Sequence, residues 1–555
     1  MLIMAESFNF LTIKDASTYF DVSRSKITYL LDYHDEINRY DSNGNIIQKS
    51  TNGNLRVSLK ELKHYFEQQK IEYNEQLNLL GVTNLELDFS NLSDQQRTKH
   101  VHGLHPYMGK FIPQLVEYYL VKYFNKDNLI LDPFAGSGTT LIEANIKGMN
   151  SFGVDIAEFN TILMKAKTDY YNLELMEFEV LHILHKVSQF SYNNFNDKST
   201  KTGFLSQSNF SKRYDKLLGR TLNLDNFFIG DDKNSDLDNS LKKDNISIKE
   251  HLKSLKVLYE SDPPEIEIQN NLDYDFDEDE NIYNINRIEE SKTEYLSNWL
   301  APRTNYELNY YTSLIPNYNY QNLLKVIVSY AARSSRLVAH YDLTRPKYPL
   351  DVNEEYTCRK HKNRRCRPID NAIKWIRNHS ISKKGAISRI RDFSELRTNN
   401  TINIQNNDST KIDYAKHIEL DYNKGGSDFD GIITSPPYLG IIDYHLQHNY
   451  AYDLFNLPNR HSEEIGSESN GKSQNSKNDY IRLIAEVFSN VKPFLKENAD
   501  VFIVANDRDN LYHTIFEIAG YELVKEDIRG VYKRASHGGA TSSYAENIFH
   551  VKPIE

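Results

Sequence analysis

Two short segments carry residue types whose spacing could do chemistry. In the first, LILDPFAGSGTTLIEANIKGMNSFGVDI, a buried strand is predicted over Leu129–Leu131, ended by Asp132 and Pro133. The small-residue turn Phe134-Ala135-Gly136-Ser137-Gly138 follows, and Thr139 opens a helix. Gly136 and Gly138 have no Cβ, so the backbone there can approach a ligand closely and adopt dihedrals closed to other residues. The helix N-terminus adds backbone donors and a positive dipole end, suited to a carboxylate or phosphate. A second strand, SFGVD, ends at Asp155, whose carboxylate can accept bonds from ribose hydroxyls. The turn is neither GxGxxG nor a GK[ST] phosphate loop, so dinucleotide and nucleoside triphosphate sites fit it less well. In the second segment, FDGIITSPPYLGIIDYH, the apolar strand Phe429–Ile433 runs directly into Thr434-Ser435-Pro436-Pro437-Tyr438. Consecutive prolines stop the strand and stiffen an extended loop at its C-terminal end. That is where open parallel sheets place their active sites.

The stretch DPFAGSGTT resembles motif I of the DNA methyltransferases that act on exocyclic amino groups, a motif of the form DPFxGSGTT. The resemblance implies an S-adenosylmethionine-dependent enzyme on a Rossmann-like α/β sheet. The loop would hold the amino-acid part of the cofactor, and the acid after the second strand its ribose. The positions so implied are Asp132, Pro133, Phe134, Gly136, Ser137, Gly138, Thr139 and Asp155. Upstream, HGLHPYMGKFIPQLVEYYL resembles motif X, with Tyr107, Lys110, Phe111 and Pro113 leading into the cofactor pocket. The loop TSPPY resembles motif IV, [DNS]PP[YF], which makes Ser435, Pro436, Pro437 and Tyr438 the expected catalytic set. TINIQNNDST reads as a strand ending at Asp408 and matches motif III, whose acid meets the adenine ring of the cofactor. Cofactor half before catalytic half, with a long segment between, resembles the α-type motif order. The insertion, however, falls between motifs II and III.

The chemistry explains the residue types. An exocyclic amino nitrogen is a poor nucleophile because its lone pair is delocalised into the ring. Ser435 Oγ and the Pro436 carbonyl can accept its two N–H bonds and draw it toward tetrahedral geometry, and positioning supplies much of the rate. A base inside a duplex cannot be reached, so it must be everted, and Tyr438 would stack on its face. Methylation at C5 of cytosine would need a Cys nucleophile after a proline. The two cysteines lie in CRKHKNRRC and neither follows one. In the family SPPY accompanies N4-cytosine methylation and DPPY accompanies N6-adenine, so cytosine N4 is expected and adenine N6 stays open. An RNA N2-guanine methyltransferase shares a similar loop and an [DN]PPY motif, but TSPPY, the long insertion and the N-terminal segment stand against it. A DNA-binding regulator with a vestigial cofactor fold would not be expected to keep every motif intact.

The elements that must position these loops divide the chain. At 555 residues with 39% apolar content, two or three domains are expected. A strand–loop–helix–strand pattern over 98–175 and strand–helix alternation over 401–555 form the two halves of one α/β unit, framing a mostly helical insertion over 176–400. Within the insertion Ser188–Arg287 is polar enough to be mobile. Residues 1–72 form a separate small unit. Thr12 caps a helix, Ser23 a second with Ile27, Leu30 and Leu31 inward, and Ser58 a third. The turns DSNGN and STNGN suggest a hairpin between them. This unit resembles winged helix-turn-helix domains of the excisionase and MerR type. Ser23, Arg24, Ser25 and Lys26 would then open the helix that meets DNA.

The net charge of −11 looks wrong for a nucleic-acid binder. It conceals an asymmetry. Asp231–Glu280 holds 16 acidic and 6 basic residues, whereas Tyr356–Arg397 holds 13 basic and 3 acidic. Residues 290–397 are therefore the expected target-recognition region, with Arg359, Lys360, Lys362, Arg364, Arg365 and Arg367 on phosphates or guanine edges of double-stranded DNA. Cys358, His361 and Cys366 show no fourth ligand at clear spacing, so no zinc is expected. No run of about 18 apolar residues predicts a membrane span, no export signal is evident, and two cysteines suit a reducing cytoplasm. The family resemblance also implies a restriction–modification system, with a cognate endonuclease as functional partner.

Overall fold

The structure, a computed structural model, describes residues 9–22, 24–34, 36–47, 55–90, 92, 94–107, 109, 111–195, 211–217, 250–264, 294–338, 354–358, 364–421, 428–535 and 541–554. Two compact units emerge from its internal contacts. One is built from residues up to Leu85 together with Ile528–Arg534 and Thr541–Ala545, and the other from Glu86–Asp527 with Glu546 onward.

In the first unit β1 (Phe10–Thr12), β2 (Arg39–Tyr40) and β3 (Arg56–Ser58) form an antiparallel sheet in the order β1-β3-β2. Thr12 caps α1 (Ile13–Tyr19) through the Asp15 N–H, and α2 (Arg24–Tyr33) follows after a short turn. Ala16, Ile27, Leu30 and Leu31 are buried together with Leu11, Val57 and Leu62, so the two amphipathic helices close on one small core. Ser23 lies outside the described residues, as does STNGN apart from its flank. The Ser58 hydroxyl accepts from the Glu61 N–H at 3.3 Å, which starts α3 (Leu59–Leu79). The boundary expected at residue 72 falls inside this helix: the apolar stripe of α3 continues to the buried Leu77.

The second unit is organised on a mostly parallel sheet. α4 (Pro113–Tyr123) starts with Pro at its first position. Then come β4 (Leu129–Asp132), α5 (Thr139–Ile146), β5 (Asn150–Asp155), α6 (Glu158–Thr168) and α7 (Leu173–Phe195). Helices α8 (Pro302–Leu314), α9 (Gln321–Ser334), α10 (Ile373–Ile381) and α11 (Ala386–Ser394) bracket a two-stranded hairpin of β6 (Tyr356–Cys358) and β7 (Arg364–Cys366). The chain returns to the sheet with β8 (Ile402–Asn406), β9 (Phe429–Thr434), α12 (Gln474–Val491), β10 (Leu495–Ala505), α13 (Tyr512–Ala519), β11 (Tyr521–Ala535) and β12 (Thr541–Pro553). The seven strands lie in the order β11-β12-β10-β9-β4-β5-β8. From β10 to β8 all pairs are parallel, and β12 alone runs antiparallel to β10. Successive side chains of a strand point to opposite faces, and here both faces are covered. Leu131, Ile432 and Ile503 pack with α12 and α13 on one face, while Ile130, Ile433 and Phe502 pack with α4 on the other.

The segment 176–400 is not a compact unit of its own. Leu308, Leu324, Ile376 and Phe393 share one core with Phe159 and Leu163 of α6, so its helices are built onto the sheet domain. Of the stretch Ser188–Arg287, Ser188–Phe195 continues α7. Most of the remainder lies outside the described residues. Among the described residues no helix is long and apolar enough to cross a membrane.

Candidate active site

Strands β4 and β9 are hydrogen-bonded neighbours, with Ile130 opposite Gly431 and Leu131 opposite Ile432. The turn 133–138 and the loop 435–438 therefore leave the same edge of the sheet side by side. Two bonds lock them together: Thr434 Oγ1 donates to Asp132 Oδ1 at 2.6 Å and Thr140 Oγ1 donates to the Ile433 carbonyl at 3.0 Å. A third, from Ser409 Oγ to the Pro133 carbonyl at 2.6 Å, ties the glycine turn to the segment after β8.

Both segments border one cleft. From the glycine turn it is lined by Pro133, Phe134, Gly136, Ser137 and Thr139; from the segment before α4 by Tyr107 and Phe111. Asp155, Asp408, Ser435 and Pro437 complete the set expected from sequence. Gly136 is in the left-handed region at φ 51°, and a Cβ there would stand 3.2 Å from Tyr107 Oη. Only glycine lets the turn lie this close to that ring. The Gly136 N–H donates to Asp155 Oδ2 at 2.8 Å, while Asp155 Oδ1 accepts from the Ala157 N–H at 2.8 Å and from Asn160 Nδ2 at 3.0 Å. Burial pushes the Asp155 carboxyl above its ordinary range, against these donors. Burial also opposes ionisation of Asp408, but Lys411 and Thr410 outweigh it and hold that carboxyl below its usual value. The Ser435 Oγ is shielded from water and has no hydrogen-bond partner among the described residues.

Five expected residues stand elsewhere. Asp132 is fully buried behind the turn, where Oδ1 also accepts from the Phe134 N–H at 3.1 Å. It braces the two loops rather than facing the cleft. Pro113 begins α4, and Gly138 is the N-cap of α5, where a Cβ would meet Met164 Cγ at 2.9 Å. Pro436 is buried. Tyr438 turns its hydroxyl to Glu546 Oε1 at 3.1 Å. Lys110 lies outside the described residues.

Several lining residues were not singled out from the sequence: Gly109, Ser409 and Tyr444, which lie within the motif-bearing segments, and Asn160, Glu463 and Glu464, which lie outside them. Tyr444 and Asn160 follow motif-bearing strands closely, which was the available signal. Glu464 offered none: it reaches the cleft by capping the short helix Tyr444–Gln447, accepting from the Tyr444 N–H at 3.1 Å and the His445 N–H at 2.6 Å.

The basic residues divide. Arg24 is exposed at the start of α2, while Lys26 Nζ lies 5.7 Å from the Tyr29 ring centroid and 6.0 Å from that of Tyr65. Arg364 and Arg365 are exposed on β7, and Arg365 and Arg367 flank Glu355 at 3.7 and 3.5 Å. Arg359, Lys360, His361 and Lys362 are outside the described residues. Cys358 and Cys366 stand as thiols, not joined in a disulfide, on the two paired strands.

The seven-stranded, mostly parallel sheet with its cleft at the carboxyl ends is consistent with the fold of a methyltransferase. Comparison with known proteins narrows the class. A family model described as DNA methylase, of the N6 and N4 type, matches residues 3–166. The chain is 35% identical to the Type II methyltransferase M.MjaII of Methanocaldococcus jannaschii over 98% of its own length and 97% of the relative's. Shorter matches are to the Type II methyltransferases M.BsoBI of Geobacillus stearothermophilus, 32% identical over 15% of this chain and 16% of the relative, and M.MvaI of Kocuria varians, 34% over 16% and 20%. The chain belongs to the Type II DNA methyltransferases of the N4/N6 type, and its substrate is DNA.

Proposed function

We propose that the chain methylates the N4 amino group of cytosine at a specific site in duplex DNA, with S-adenosylmethionine as donor, as the modification arm of a restriction–modification system. The observation that carries this reading is Ser435 Oγ: a water-shielded hydroxyl without a hydrogen-bond partner among the described residues, bordering the cleft one strand away from the glycine turn. A buried polar atom left unpaired is costly, so this position suits an oxygen awaiting a ligand's N–H.

The residues around the cleft fit the donor. Ser137 and Thr139 at the start of α5 suit its carboxylate, Asp155 its ribose hydroxyls, Asp408 its adenine edge, and Tyr107 and Phe111 its apolar surface. When bound, S-adenosylmethionine supplies an electrophilic methyl group on a sulfonium. The protein's own part is to orient. Ser435 Oγ and the Pro436 carbonyl accept the two amino hydrogens, the locked loops keep these acceptors fixed, and Tyr438 lies against the everted base. Arg364, Arg365 and Arg367 on the β6–β7 hairpin would contact phosphates or guanine within a target-recognition region over 290–397. The first unit, whose two helices and small sheet suit a winged helix-turn-helix, would bring Arg24 and Lys26 to DNA. Single-molecule sequencing of DNA from cells expressing the protein should show N4-methylcytosine at one recurring motif. Methylation at adenine N6, or none, would overturn the assignment. Tritium transfer to duplex DNA but not to tRNA or rRNA checks the substrate class.

A further inference from the structure

The loop 435–438 is anchored from the side away from the cleft. Tyr480 on α12, buried to 3% exposure, donates its hydroxyl to the Pro437 carbonyl at 2.9 Å and shares a 2.8 Å bond with the Tyr512 hydroxyl. The Tyr438 hydroxyl donates to Glu546, which is 2% exposed. Topology explains how a residue so close to the C-terminus reaches this loop. β12 runs antiparallel to β10 with Ala505 opposite Asn547, so the start of β12, not its end, lies at the carboxyl edge. A carboxylate buried there is costly unless donors meet it, and the loop's own aromatic residue supplies one.

We infer that Glu546 is a positioning residue for Tyr438, tethering the phenol at its far end and so setting the plane of the ring that receives the everted base. This rests on the stacking role given to Tyr438 above. A ring free to turn must lose its rotamer freedom as the base arrives, whereas a tethered ring has already lost it on folding. Glu546 therefore acts on capture of the base, not on methyl transfer itself, and not on the cofactor, which it does not touch among the cleft-lining residues.

The test uses the full chain, tritiated methyl transfer to unmethylated plasmid carrying the site found by sequencing, and a duplex with 2-aminopurine at the target base. Glu546→Ala and Tyr438→Phe should each raise KM for DNA about tenfold and reduce the 2-aminopurine signal, with kcat and cofactor Kd within about twofold. Glu546→Gln keeps an acceptor oxygen and should behave like the parent. The double variant should be no worse than either single one. Losses that multiply to about a hundredfold, or a parental KM for Glu546→Ala beside an impaired Tyr438→Phe, would overturn the tether. A parental KM for Tyr438→Ala would remove the stacking role instead. Should Glu546→Ala fail to bind cofactor and so read as misfolded, Tyr438→Phe and Glu546→Gln decide alone: an impaired Glu546→Gln or a parental Tyr438→Phe overturns the inference.

Discussion

Replacing Asp132 by Asn probes the brace between the two loops. Complete burial pushes this carboxyl up to about 6, against the bonds from Thr434 and the Phe134 N–H. A folded-state value above the unfolded one means the native protein holds this proton to higher pH than the unfolded chain does. The stability it contributes is fully present below about pH 4 and is lost as pH rises through about 6. A rise of roughly two units corresponds to about 3 kcal/mol of stability lost across that window. Asn cannot ionise. Its oxygen can still accept from Thr434 and Phe134, and its amide NH2 replaces Oδ2, which has no hydrogen-bond partner among the described residues. Whatever offset this creates is independent of pH. The stability of Asp132→Asn minus that of the parent should therefore grow by about 3 kcal/mol between pH 4 and pH 7. For a unit of this size each kcal/mol moves Tm by about 1–2 °C, so paired thermal-unfolding scans should separate progressively by roughly 3–6 °C. Thr434→Val removes a donor to Oδ1 and should steepen the loss above pH 6. A difference between parent and Asp132→Asn that stays flat across the window would refute the buried-brace reasoning, and so would a Thr434→Val profile parallel to the parent.

Three further outcomes follow, two from the cleft and one from the β6–β7 hairpin. Ser435→Ala should lower kcat by about 10²-fold with cofactor Kd nearly unchanged, because the acceptor matters most as the amino group rehybridises; single-turnover methyl transfer measures it. Asp155→Asn, or Gly136→Ala at φ 51° against the Tyr107 ring, should weaken cofactor binding by about 10–100-fold in calorimetry, consistent with loss of one charge-assisted bond or of the close approach. Arg364→Ala combined with Arg365→Ala should lower DNA affinity and flatten the dependence of log K on log salt by about two counterions, leaving cofactor Kd unaffected.

Loops at strand ends were legible in the sequence because their residue types are chemically unusual there: two glycines before a helix, two prolines after a strand, an acid closing the next strand. The small unit was legible too, since Thr12 and the buried Ile27, Leu30 and Leu31 follow local rules of capping and period. What escaped depends on contacts distant in the chain. An acid that braces a turn and an acid that holds a ligand occupy the same sequence position, so Asp132 read as a cofactor contact until β9 was seen to bring Thr434 onto it. β11, YELVKEDIRGVYKRA, carries charges throughout and gave no clean alternation, although it forms the edge of the sheet. The helices over 176–400 read only as an insertion, because their apolar faces say nothing about what they bury against.

The antiparallel β12 shows why this matters for function. A parallel sheet offers only residues that follow its strands to the active edge, so a reader of sequence looks just after each apolar run. Reversing one strand brings forward a residue that precedes its apolar run: Glu546 stands before Ile548, Phe549 and Val551 and still meets the loop after β9. The same sheet edge thus draws on two opposite sequence signatures. The second becomes visible only once strand direction is known, and the anchoring of Tyr438 is the part of this site that depends on it.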